Sequence, residues 1–153
     1  MTEVSAQAWL LELDRQQVAA VGLHELVEVL SRPKLYHVPM SGPRSHQVLV
    51  WRDEILPVVS FANDSDGESE REMFGAAVTA IAVYQTVPGE PLRHGALQLS
   101  GMPKVITVAD NMACALPDTR SSVGDVVISC FFYDNFAVPV IDLTRVFEHA
   151  SGP

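Results

Sequence analysis

The chain has 153 residues, 48% of them apolar and only 19% charged, with a formal net charge of −9. That length suits one ordinary domain or two very small ones, folding would bury roughly two-thirds of the unfolded surface, and so apolar a composition argues against disorder while leaving apolar surface for partners. Ten basic against nineteen acidic residues, with no basic stripe, argue against a nucleic-acid ligand, and the opening MTEVSAQAWLLELD fits neither a secretory leader nor a membrane span, so the protein is expected to be cytoplasmic and not membrane-embedded.

Short runs of branched and aromatic residues predict strands over Trp9 to Leu13 and Val18 to Val21. Next, Leu23, Leu26, Val27 and Leu30 recur at i, i+3, i+4 and i+7, and by pattern alone Gly22 to Leu30 reads as a short helix. Strands follow at Val48 to Trp51 and Ile55 to Phe61. The stretch 63–72, with five acids, one base and no apolar residue, then reads as a solvated linker. Beyond it, strands are predicted over Val78 to Tyr84, Val105 to Val108, Val126 to Tyr133 and Phe136 to Leu143. The segment Ala96 to Pro117 is ambiguous between periods, and Pro103 breaks any helix drawn through it.

Two of these pairs repeat one another. WRDEILPVVSF before the linker and FYDNFAVPVIDL after it share an aromatic residue, a polar break, an apolar pair and Pro-Val-apolar, with the prolines 139 − 57 = 82 positions apart. The polar breaks Arg52-Asp53-Glu54 and Asp134-Asn135 are of the kind that close hairpins. Proline within an apolar strand needs a position where no ladder bond is lost, which predicts an edge or a bulge at both Pro57 and Pro139.

Catalytic signatures are missing from the sequence. The histidines show no metal-ligand spacing: His24-Glu25 opens like HExxH, but position 28 is Glu, so a helix face would offer one imidazole only. The nucleophile-elbow, dinucleotide and phosphate-loop patterns do not occur. Asp64 and Asp66 lie in the linker, where nothing apolar would raise a pKa. Cys114 and Cys130 have no CxxC spacing and are too few for a disulfide framework; Cys130 reads as inert packing in a strand. No enzyme activity, cofactor or metal is expected.

Taken in order, VGLHELVEVL, HVPMSGPRSHQVLVWRDEILPVVSF and FFYDNFAVPVIDLTRVF resemble the CheW-like domain, the adaptor module of bacterial chemosensory arrays, from about Trp9 to Phe147. Glu28-Val29, Val38-Pro39, Arg52 and Leu56-Pro57-Val58-Val59 match the family's pattern in order and spacing. The resemblance implies a mainly β fold with little helix: two pseudo-symmetric, five-stranded SH3-like barrels, here about 9–62 and 74–147 around the linker 63–72, within one domain spanning 1–153. It also overrides the helical reading of Gly22 to Leu30, since the matching family segment is strand, tight turn, strand.

The implied function is a non-catalytic adaptor coupling the tip of a methyl-accepting chemoreceptor to the regulatory domain of a CheA-type histidine kinase. Glu28 and Arg52 occupy positions the family uses on its receptor-facing side, and Leu26, two residues before Glu28, would share its strand face and supply an apolar contact. Tyr133 and Phe136, at the second hairpin tip, form the other candidate partner surface. The family usually has Gly, Asn, Gly and Asp where this chain has Gln47, Val50, Asp53 and Ser60; losing glycine at the turn is expected to change the hairpin geometry. These departures favour an alternative, a divergent adaptor of a pilus or surface-motility system or a competitor of the standard adaptor. A small-ligand binder or enzyme on the same fold is the reading from a different functional class.

Overall fold

A computed structural model describes residues 4–14, 17–38, 47–61, 78–115 and 125–151. The acidic stretch 63–72, Pro39 and Pro117 lie outside the described residues. The chain is mainly β, with eleven described strands: β1 (Ser5–Glu12), β2 (Val18–Gly22), β3 (Leu26–Leu30), β4 (Tyr36–His37), β5 (Gln47–Trp51), β6 (Glu54–Val59), β7 (Val78–Tyr84), β8 (Arg93–Leu99), β9 (Lys104–Ala109), β10 (Val127–Tyr133) and β11 (Phe136–Ile141). One α-helix, α1 (Leu143–Ser151), closes the described chain. No helix among the described residues is long and apolar enough to cross a membrane.

The strands form two curled sheets, one of five strands in the order β10-β11-β2-β1-β9 and one of six in the order β3-β7-β8-β6-β5-β4. This corrects the sequential partition. β1 and β2 join the C-terminal strands, whereas β7 and β8 join the sheet that holds β3 to β6. The cause is in the pairing: β1 is antiparallel to β9 over Ser5 to Leu10, and β2 meets β11 in parallel at Ala20↔Val140. The larger sheet also exceeds the five strands expected, because the two-residue β4 pairs with β5.

The segment with the helical period is strand, turn and strand. β2 ends at Gly22, a single 3₁₀ turn covers Leu23 to Glu25, and β3 follows, with a bulge between Leu26 and Glu28. The Glu25 carboxylate reaches back to accept the Gly22 N–H at 2.6 Å, and the Trp9 indole donates to the Leu23 carbonyl at 2.9 Å. The bulge sets Leu26 and Val29, three apart, against the core between the sheets and leaves Val27 exposed, so the helix-like count of Leu23, Leu26, Val27 and Leu30 marks no single buried face.

Both repeated hairpins close on two residues of positive φ: Arg52 (48°) and Asp53 (65°) in one, Asp134 (50°) and Asn135 (69°) in the other. These are type I′ turns, whose twist suits flanking strands. Asp53 thus adopts, without glycine, a positive φ that glycine reaches more easily. The prolines lie in interior strands, which corrects the expectation of an edge or bulge. Pro57 faces Val48 and Pro139 faces Cys130. Counting from the turn, both fall at non-hydrogen-bonded pairs, so each ring nitrogen points to the other neighbour. There the parallel pairing begins one residue later, at Val58↔Ala96 and Val140↔Ala20. No ladder bond is lost in either case.

Three apolar cores result. Leu49, Trp51, Leu56, Val58, Ile81 and Ala96 fill the six-stranded sheet; Ala20, Ile106, Phe131 and Val138 fill the five-stranded one. The largest core joins the sheets, with Leu11, Val21, Val59, Phe61, Leu97, Ile141 and, from α1, Leu143, Val146 and Phe147 among its members. Asp142 starts α1: its Oδ1 accepts the Thr144 N–H at 3.0 Å and its carbonyl accepts the Val146 N–H at 3.0 Å, the bonds of an N-cap.

Candidate functional site

The first candidate site is built on the β5–β6 hairpin. Trp51 ends β5 with its ring turned into the six-stranded sheet, 7% exposed, and its indole N–H donates to Glu28 Oε2 at 2.5 Å. Arg52, first residue of the turn, lays its guanidinium over the same ring at 4.5 Å. Glu28 thus holds the edge of the indole and Arg52 covers its face. The two family-matched charges are brought together through Trp51, a residue not singled out in the sequence.

His94 of β8 packs against the same residue, its ring centroid 5.0 Å from that of Trp51 at a tilt of 44°. Its Nδ1 is 3.9 Å from Glu54 Oε2, an ion pair only when the imidazole is protonated. A buried tryptophan bonded at its N–H and covered by a cation is held on two sides: the carboxylate fixes the ring's orientation, and the exposed Arg52 stacks on its face.

Leu26 does not share this face. The bulge turns it toward the core between the sheets, where it packs partly buried, and leaves Val27 as the exposed neighbour of Glu28. The apolar surface of the hairpin comes instead from Val50 and Ile55, which face each other across β5–β6 and are 58% and 71% exposed. They alternate with the buried Leu49, Trp51 and Leu56, so they project from the outer face of the hairpin. Inward Leu49 and Trp51 already imply an outward Val50, the signal by which sequence could have found this pair. Tyr36 of β4, opposite Val48, extends the same outer face and carries Lys34 Nζ 5.2 Å from its ring centre.

The second candidate site lies in the other sheet. Tyr133 and Phe136 are direct partners flanking the β10–β11 turn. Tyr133 packs partly buried against the five-stranded sheet's core, while Phe136 is 40% exposed. Phe132, opposite Ala137 on the outer face, is the more exposed aromatic at 52%. The 82-residue repeat relates Val50 to Phe132 and Ile55 to Ala137, so the two hairpins offer apolar outer surfaces at corresponding places. Among the described residues no group of three or more His, Cys, Asp and Glu side chains is placed to hold a metal.

No protein-family model matches the chain, and no curated protein matches it by sequence. A solved structure does: the scaffolding protein TtCheW from Thermoanaerobacter tengcongensis superposes with a TM-score of 0.67 at 15% identity, covering 95% of this chain and 94% of that one. The fold is CheW-like. At that identity the likeness is one of backbone, and it extends over nearly the whole of both chains.

Proposed function

We propose that this protein is a non-catalytic chemosensory adaptor that joins the tip of a methyl-accepting chemoreceptor to the regulatory domain of a CheA-type histidine kinase in the cytoplasm. The observation that carries the reading is the end-to-end likeness to a scaffolding protein, TtCheW. Two outward hairpin surfaces, one per sheet, suit a protein that holds two partners at once. The receptor surface is assigned to Glu28 and Arg52 around Trp51, with the exposed Val27 beside Glu28 in the apolar role expected of Leu26. Phe132 on the outer face, with Phe136 and its cross-strand partner Tyr133 at the hairpin tip, are assigned to the second partner. An adaptor of this kind changes kinase output only by binding the kinase's active and inactive arrangements unequally.

Co-sedimentation with receptor and kinase fragments tests the proposal. Arg52→Glu should abolish receptor capture while leaving the melting temperature close to wild type, since an exposed cation–π contact stabilises by only about 0.5–1 kcal/mol. Because Glu28 and Arg52 each contact Trp51, adding Glu28→Arg should not restore binding. Undiminished capture by folded Arg52→Glu protein would remove this surface. The alternative, a divergent adaptor of a pilus or surface-motility system, is favoured by the exposed Val50–Ile55 pair at one of the positions where the chain departs from the family pattern; it predicts capture by that system's kinase and receptors and by no others.

A further inference from the structure

The two cysteines are 16 residues apart in sequence, yet their Sγ atoms lie 2.7 Å from each other. The contact follows from the backbone. Ala113 bridges to Phe131 in antiparallel sense, which sets Cys114 directly opposite Cys130, and the Cys114 N–H donates to the Cys130 carbonyl at 3.1 Å. Opposed residues of a hydrogen-bonded antiparallel pair have Cα atoms about 5.5 Å apart, within the roughly 4.4–6.8 Å that a disulfide spans. The sulfurs need approach by only ~0.7 Å to reach bonding distance. Cys130 is buried at 2% exposure; Cys114 is partly exposed, so oxidants reach it first.

The place in the fold gives the bond a consequence. β9 and β10 are the two edges of the five-stranded sheet, and the chain after β9 turns through Asp110–Met112 to meet β10 at Ala113. The cysteines therefore sit on the seam where the curled sheet closes on itself.

We propose that Cys114 and Cys130 are a reversible dithiol–disulfide site, oxidised by a hydroperoxide, that staples this seam. The Cys114 thiolate attacks one oxygen of hydrogen peroxide; the O–O bond breaks, hydroxide leaves and takes a proton to become water, and Cys114 becomes a sulfenic acid. The Cys130 thiol then gives up its proton as its sulfur attacks Cys114 Sγ; the S–O bond breaks, a second water leaves and the S–S bond forms. Two thiols have lost two electrons, and one peroxide has become two waters. Burial pushes the Cys130 thiol up to about 11, the Cys114 thiol beside it adding to the shift, which fits Cys114 rather than Cys130 as the sulfur that attacks the peroxide.

The test is peroxide titration of the full chain, with peptide mass spectrometry and melting curves. Wild type should lose both thiols together, yield a Cys114–Cys130 cross-linked peptide within one chain, and melt roughly 5–10 °C higher, the rise vanishing on reduction. Cys130→Ala, which keeps a small apolar side chain in the buried site, should trap Cys114 as a dimedone-reactive sulfenic acid, and Cys114→Ala should leave Cys130 a free thiol under the same treatment. Survival of both wild-type thiols at peroxide levels that oxidise a free-cysteine peptide would overturn the proposal. So would wild-type Cys114 accumulating as sulfinic acid beside an unreacted Cys130, or cross-links found only between chains.

Discussion

Gly95 and Phe147 make the sharpest test of how the helix seals the core between the sheets. Gly95 is buried in β8 opposite Ala82, and a Cβ built there would lie 2.3, 2.5 and 2.6 Å from three ring carbons of Phe147, where ordinary contact begins at 3.4 Å. The ring would have to retreat by 3.4 − 2.3 = 1.1 Å. It has little room to do so: Phe147 is 1% exposed and stacks on Tyr84 with centroids 5.1 Å apart, and its helix is anchored by the buried Leu143 and Val146. Gly95→Ala should therefore cost about 1–3 kcal/mol by overpacking, and Phe147→Ala about 3–5 kcal/mol by leaving a cavity. In the double variant the clash has no partner, and alanine's better backbone preference returns about 0.5–1 kcal/mol. Urea unfolding of the four proteins gives the coupling energy directly. The reasoning is refuted if Gly95→Ala costs the same with and without the Phe147 ring.

Other outcomes follow from the same contacts. Trp51→Phe keeps an aromatic ring in the core but removes the donor to Glu28, and should cost about 1.5–3 kcal/mol in chemical unfolding, with Glu28→Gln in that background recovering part of the loss because it removes an unpaired charge. Burial holds Glu25 above the usual glutamate range against the pull of its Gly22 bond, with the Asp142 charge adding to the rise; the folded state thus binds its proton more tightly than the unfolded chain, and stability falls as pH rises from the ordinary glutamate value through the raised one. Glu25→Gln should accordingly melt above wild type at neutral pH, with the gap closing in acid below the ordinary value; a gap independent of pH would refute this. A chain ending at Asn63 would strip β1 and β2 of β9 and β11 and remove β7 and β8 from between β3 and β6, so it should show no cooperative melt and no dispersed amide spectrum.

The hairpins were legible because their information is local. Polar breaks of three and two residues, alternation on either side and a repeated Pro-Val place β5–β6 and β10–β11 to within two residues. β8 was missed: RHGALQL carries a glycine where Phe147 lies against the backbone, a demand set by a helix more than fifty positions away. The helix itself is open to reading, since Asp142 is followed by Leu143, Val146 and Phe147 at helical spacing, although the apolar run of the strand reads on to Leu143. Which strands cross between halves was not legible, since nothing in β2 announces that its parallel neighbour lies more than a hundred residues on. The cysteine contact was hidden for the same reason. Spacing of 16 carries no local signal, and only the return of the chain to the sheet's far edge creates it.

The 82-residue repeat can be explained by what its residues do in three dimensions. In each copy the strand after the turn first fills its own sheet, with Leu56 and Val58 in the core of the six-stranded sheet and Val138 in that of the five-stranded one. It then passes into the core between the sheets, with Val59 and Phe61 from one copy and Ile141 and Leu143 from the other. The proline stands at the handover. It is placed where one neighbour needs no hydrogen bond and the parallel neighbour has not yet begun, so a buried strand can change partners without an unsatisfied amide. A hairpin whose tip bears the proposed partner surface is by this route continuous with a core that both sheets share. Val59 and Phe61 are thus the residues by which the hairpin bearing the proposed Trp51 surface shares a core with Ile141 of β11 and with α1.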